Sequence, residues 1–411
     1  MSIAISRLLP VRSVSRVQWL SLLGPAFAVS IGYIDPGNWA TDLAAGVFGF
    51  RLLWVIVLAN LLAIGLQVAV VKLTIISGED LATSIARRWP RLAPPLWAVF
   101  QGAAIATDLA EFTGIVLGIQ LLFHWNMLAS VISGIAIVGV VLSFNGHRSK
   151  ALEGTLMVMI GLIALVFLYQ LWMLHPSMGA VTAGLMPQIP NVSALVLIIG
   201  IIGATVMPHN LFLHSSLVMK TCQGCDQEER KRRADFYFKE TLAALNVAAL
   251  INGAILIVGA ALQGSNDSIQ HAFAALTLAT GSFGAMLFGG ALLLTGIASS
   301  TTATLSGDYI FAGFTRKNIS PLLRRSLTLG PVALLLILGV SATALLIWSQ
   351  VVLALILPVA IVPMMLEYRR VHIRDHLSLK RPIYLGALAA SSVCIAFDAV
   401  LIVQSIPWPR F

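Results

Sequence analysis

The sequence predicts an all-α polytopic membrane protein, on three grounds. Of its 411 residues, 58% are hydrophobic and 10% charged, with a mean hydropathy of +0.91, whereas a soluble domain carries about 25% charged residues. Apolar runs of about 20 residues recur along the whole chain, the length that a hydrocarbon core about 30 Å thick requires. The 26 basic residues sit in short segments between those runs. That placement argues against nucleic-acid binding as the meaning of the +9 net charge and follows the positive-inside rule.

Hydropathy marks eleven spans, at about 21–45, 52–76, 96–123, 127–144, 152–174, 194–218, 237–262, 281–312, 327–346, 350–367 and 383–406. They form a single transmembrane domain, with one repeat over about 21–174, a second over about 194–367, and span 383–406 in addition. Arg7, Arg12 and Arg16 precede the first apolar run as in a signal sequence. That run continues past Asp35 and Pro36, too far for a short h-region, so it is expected to remain as span one. With a cytoplasmic N-terminus and every span crossing, 24 of the 26 basic residues face inward, and only Arg51 and Arg410 face outward. The C-terminus is then extracytoplasmic. A short chain without large tails points to a plasma membrane, a bacterial inner membrane. Cys222, Cys225 and Cys394 make no disulfide framework, and one Cys-x-x-Cys in a cytoplasmic loop reads as incidental.

Spans one and six are interrupted. Residues 32–42 read GYIDPGNWATD and residues 203–216 read GATVMPHNLFLHSS, so Asp35-Pro36-Gly37-Asn38 and Met207-Pro208-His209-Asn210 share an x-Pro-x-Asn pattern. Proline removes an i to i−4 hydrogen bond, and within lipid the freed carbonyls persist only where they face protein, water or a ligand. One such break is an ordinary kink. Two breaks, each in the first span of a five-span half, are different. Five is odd, so the halves run with opposite orientation, and the discontinuous helices of an inverted repeat meet near the midplane to hold a substrate.

The residues at the breaks suit a cation. Asp35 is a mid-span carboxylate, costing about 3 kcal/mol to insert, and a bound cation would repay its charge. Asn38 offers a carbonyl oxygen, Met207 a thioether, and the unwound backbone near Gly32 and Ala204 further oxygens. Oxygen-only shells suit Mg²⁺ and Ca²⁺, whereas a soft sulfur favours later first-row metals. Mn²⁺ or Fe²⁺ is expected as cargo, with Co²⁺, Zn²⁺ and Cd²⁺ as competitors. No permanently bound cofactor and no obligate protein partner are expected, and no structural-zinc spacing is present.

Span three adds Gln101, Asp108 and Glu111 on one helical face. Two buried carboxylates there do not both ionise cheaply, and Arg324 and Arg325 at the start of span nine are candidate partners. His209 lies two residues from Met207 and is the natural first proton acceptor. His214 lies five residues further on, about 140° around the helix. These groups suggest a proton route, with a static polar brace as the alternative.

The two break motifs resemble the signatures of the Nramp family of divalent metal transporters. So do Thr107–Glu111 (TDLAE), Ala298–Gly307 (ASSTTATLSG), Arg324-Arg325 and Ser349–Pro358 (SQVVLALILP). The resemblance spans nearly the whole chain. It implies a LeuT-like fold and proton-coupled, alternating-access import of Mn²⁺ and Fe²⁺. It also implies metal-ligand roles for Asp35, Asn38, Met207 and the carbonyls of Gly32 and Ala204, with state-dependent approach of Gln350. Proton roles fall on His209, Asp108, Glu111 and Arg325. The chain departs from the family pattern at Gln101, Asp308, Ala354 and Ile356, which bears on how tightly protons are coupled. A sodium- or proton-coupled amino-acid transporter of the same architecture is the alternative, but Asp35 and a thioether repel a carboxylate substrate. No His-Glu-x-x-His or phosphate-loop pattern supports an enzyme.

Overall fold

The computed structural model describes residues 24–144, 150–262, 268–317, 320–374 and 381–405. Arg7, Arg12 and Arg16, the first residues of span one, Arg148, Lys380 and Arg410 lie outside the described residues. The chain runs through α1 (Pro25–Ser30), a 3-10 turn (Ile31–Ile34), α2 (Pro36–Ala45), a second 3-10 segment (Gly46–Leu52) and α3 (Leu53–Ser77). There follow α4 (Leu81–Arg88), α5 (Ala93–Phe123), α6 (Met127–Phe144), α7 (Lys150–Leu174) and α8 (Met178–Ala183). The second half holds α9 (Val192–Val206), α10 (Pro208–Thr221), α11 (Gln227–Ala261), α12 (Ile269–Thr315), α13 (Pro321–Ile337), α14 (Ala342–Arg374) and α15 (Arg381–Ser405).

Each expected span coincides with a helix or, for spans one and six, with a broken pair: α1 with α2, and α9 with α10. Among the described residues seven helical stretches are long and apolar enough to cross a membrane, and three shorter helices are apolar. Side-chain caps set several starts. Asp80, Asn191, Asp226 and Ser268 accept from the backbone N–H groups of Thr83, Ala194, Glu229 and His271 at 2.8–3.1 Å, relieving donors that a helix start leaves unpaired.

Several boundaries differ from those expected. Capped by Asp226, α11 begins at Gln227, so its first turns are charged rather than apolar. Span nine does not reach residue 346. It ends as α13 at Ile337, and Gly339 (φ 84°) turns the chain into α14. The apolar run crosses that turn unbroken, so hydropathy alone does not register it. Before the expected start of span eight, α12 carries an additional helical stretch from Ile269, and the chain changes direction at Gly281 (φ 75°). The short helices α4 and α8 were not anticipated.

The longest helix interface is α5 against α12. Small residues let the backbones approach: a Cβ at Gly118 would lie 2.7 Å from Leu293 Cβ, and one at Gly296 would lie 3.1 Å from the Glu111 carbonyl oxygen. Trp39 of α2 is wedged between Phe167 and Phe288, with ring centroids 4.8 and 5.2 Å away. Polarity is inverted relative to a soluble protein. Asp35, Asp108, Glu111, Arg324 and Arg325 are buried, whereas Leu278, Leu250 and Leu165 are exposed, as a lipid environment dictates.

Candidate metal centre

At the first break Asp35 adopts an extended conformation (ψ 165°) and becomes the N-cap of α2. Its Oδ1 accepts from the Asn38 N–H at 2.7 Å, while its buried Oδ2 has no hydrogen-bond partner. The carbonyls just before the break are taken up by side chains. Tyr33 O accepts from Asn38 Nδ2 at 2.5 Å and from Asn252 Nδ2 of α11 at 2.8 Å. Ile34 O accepts from the Trp39 indole at 3.2 Å. Gly32 stands four residues before Pro36, and Ala204 four before Pro208. Neither carbonyl can receive the usual i+4 bond, because proline has no N–H to give.

At the second break Met207 departs from helical geometry (φ 5°, ψ 114°). It is fully buried, packed with Ala103, Ala106 and Leu353. Asn210 Nδ2 approaches its sulfur at 3.5 Å. The same amide lies against Gly32, where an added Cβ would sit 2.6 Å from Asn210 Nδ2 and 3.0 Å from Oδ1. Asn210 thus joins the two breaks, and its Oδ1 is buried without a partner. In the sequence it shows only as the last member of the shared x-Pro-x-Asn pattern. From α14, Gln350 is fully buried, donates to Ser349 Oγ at 3.0 Å and leaves Oε1 unpartnered. A Cβ at Gly37 would overlap Gln350, so this glycine lets α14 close on the break.

Among the described residues, the buried side-chain oxygens Asp35 Oδ2, Asn210 Oδ1, Gln350 Oε1 and Asn252 Oδ1 around the breaks therefore lack donors. Buried acceptors are ordinarily paired, and unpaired oxygens at both breaks, with Asn210 against a thioether, are chemistry that a cation satisfies. Among the described residues no three His, Cys, Asp or Glu side chains converge; the candidate ligands are one carboxylate, amides, carbonyls and sulfur. Asp42, two turns above Asp35 on α2, is also buried with Oδ2 unpaired. The run GYIDPGNWATD displays it seven residues after Asp35, as the apolar span's second carboxylate.

The span-three carboxylates are surrounded quite differently. Arg325 donates to Asp108 Oδ1 at 2.6 Å, to Glu111 Oε2 at 3.3 Å, to Thr304 Oγ1 at 2.9 Å and to Ser300 Oγ at 2.8 Å. Thr328 Oγ1 donates to Asp108 Oδ2 at 2.7 Å. Arg324 lies 3.8 Å from Asp108 and 3.3 Å from Asp308. His209 Nδ1 meets Thr107 Oγ1 at 3.1 Å, next to Asp108 in sequence. His214 is not brought to this cluster. Its Nδ1 lies 2.8 Å from Gln67 Oε1, and Gln67 Nε2 donates to the Tyr33 hydroxyl at 2.6 Å. Gln101 is half-buried, with an unpartnered Nε2. Ala354, a departure from the family pattern, presses its methyl group towards Gly203.

Broken spans meeting at buried polar groups are the architecture of secondary transporters, and that is the class this fold defines. The sequence profile of Nramp, "Natural resistance-associated macrophage protein-like", matches residues 26–404, and the chain belongs to the Nramp family. It is 42% identical to a divalent metal cation transporter MntH of Xanthomonas campestris, covering 84% of this chain and 82% of the relative. It is 36% identical to an MntH of Caldanaerobacter subterraneus, covering 92% of each. A manganese transporter of Eremococcus coleocola superposes with a TM-score of 0.84 at 28% identity, over 96% of this chain and 89% of that one. Mhp1, a nucleobase-cation-symport-1 family transporter, superposes at 0.58 with 16% identity over 94% of each chain. The LeuT-like fold is thus shared well beyond the family.

Proposed function

We propose that this chain imports divalent transition-metal ions, Mn²⁺ or Fe²⁺, into the cytoplasm by alternating access, with protons moving alongside. The observation that carries this reading is the set of buried, donor-less oxygens at the two helix breaks, with Asn210 against the Met207 sulfur. In it Asp35 supplies the charge, Asn38 and the Gly32 and Ala204 carbonyls supply neutral oxygens, and Met207 supplies discrimination against Mg²⁺ and Ca²⁺. Gln350 completes the shell when α14 closes. One carboxylate among neutral ligands binds reversibly, as transport needs.

Protons take a different course. His209 accepts a proton near the metal, the Thr107 hydroxyl links it to α5, and Asp108 and Glu111 carry it on, with the Arg325 guanidinium holding their charge. His214, paired with Gln67, stands apart from this route. The N-terminus is cytoplasmic and the C-terminus extracytoplasmic, as the distribution of basic residues requires. Spans one to five and six to ten act as the inverted halves.

The test is Mn²⁺ uptake into proteoliposomes with an internal metal-sensitive dye, with internal pH followed in parallel. Wild type should take up Mn²⁺ and acidify the lumen. A folded, correctly inserted protein that moves no Mn²⁺ would overturn the reading.

A further inference from the structure

We infer that Glu240 of α11 is a positioning residue that latches the cytoplasmic half of span one in its closed place. The inference rests on the import reading for its direction. The half-span is short: α1 and its 3-10 turn cover Pro25–Ile34, and Asp35 severs them from α2. The first backbone N–H groups of any helix have no partner within it. Here Gly24 stands at the N-cap and provides no side-chain cap.

Glu240 takes that place from a distant helix. Its Oε1 accepts from the N–H groups of Ala26 at 3.1 Å and Phe27 at 3.4 Å. The approach needs Gly24 as glycine, since a Cβ there would lie 2.7 Å from Glu240 Oε2 and 3.0 Å from Cδ. Glu240 itself is 5% exposed. At the other end of the half-span, Asn252 of the same helix donates to Tyr33 O at 2.8 Å. Glu240 and Asn252 are twelve residues apart on α11, about 18 Å along its axis, so one helix grips the half-span at both ends.

On the import reading, opening a cytoplasmic route moves this buried half-span away from α11. The Asn252 contact joins two neutral groups. The Glu240 contact is charge-assisted, and in the open state water can hydrate both the carboxylate and the two N–H groups. That exchange makes the contact a reversible latch rather than a permanent bond.

The experiment reads the latch directly, without metal. In full-length protein with Cys222, Cys225 and Cys394 changed to serine, Ser30→Cys reports on the buried face of the half-span. A membrane-impermeant maleimide is applied from the cytoplasmic side. Glu240→Ala should raise the labelling rate about tenfold, and Glu240→Gln, which keeps an acceptor oxygen, should raise it much less. Gly24→Ala, which crowds the carboxylate without removing it, should also accelerate labelling. In uptake assays Glu240→Ala should raise the apparent KM for external Mn²⁺, with binding to solubilised protein retained. Equal labelling of Glu240→Ala, Gly24→Ala and parent, in monodisperse protein, would overturn the latch. Because labelling needs no transport, failure of the latch and failure of metal import are told apart.

Discussion

Two groups of buried carboxylates lie within one bundle, and they are neutralised by opposite means. Asp108 and Glu111 are met by Arg325 at 2.6 and 3.3 Å, with Arg324 and Thr328 in support. Among the described residues no basic side chain pairs with Asp35; Oδ1 caps α2 and Oδ2 is left unpartnered. A buried charge needs a partner of opposite sign. The first group therefore carries its cation as part of the protein, and the second, on the proposed reading, takes one from solution. On that reading the contrast separates residues that bind cargo from residues that manage charge.

The largest expected effect on uptake removes the Asp35 charge. Asp35→Ala should lower Mn²⁺ uptake at least about 100-fold, a loss of about 3 kcal/mol at the site, with little change in thermal stability. Residual uptake near wild type would break the comparison. Next comes Arg325→Met, which strands two carboxylates and should cost about 3–5 kcal/mol of stability, read as a fall in the unfolding temperature in detergent. Adding Asp108→Asn and Glu111→Gln to it should restore most of that loss, and no recovery would mean that Arg325 acts otherwise than by charge. Met207→Ala should weaken Mn²⁺ uptake about fivefold and let Ca²⁺ or Mg²⁺ compete, which competition assays would detect. The smallest effect is expected at the half-exposed Arg233–Glu229 pair, 2.6 Å apart. Glu229→Gln should leave uptake and unfolding temperature unchanged within error.

Much of this was legible because membranes make polar residues conspicuous. A proline or carboxylate inside an apolar run has few readings, so both breaks and the span-three face stood out, and Arg324 and Arg325 could be matched to them. The partners of freed backbone groups were not legible. Asn252 and Gln67 are single polar residues in long apolar stretches, and Glu240 is one of several charges in the first half of α11; none has the periodicity or spacing that would tie it to Tyr33 or Ala26. Their role appears only once α3 and α11 pack beside the break. Asn210 was half visible, present in the repeated motif but without a contact to give it meaning. The turns at Gly281 and Gly339 failed for the converse reason, since apolar sequence continues through them.

The grip on span one also has a consequence in time. Ala26 and Glu240 are 214 residues apart in the chain, and Tyr33 and Asn252 are 219 apart. At a synthesis rate of about 5–20 residues per second, the first span is finished on the order of ten to forty seconds before the helix that steadies it exists. Through that interval a half-helix with open donors and a lone carboxylate must be sheltered by the insertion machinery or by interfacial water. An early segment is among the last to settle, and the ribosome's pace becomes part of how the candidate metal centre is built.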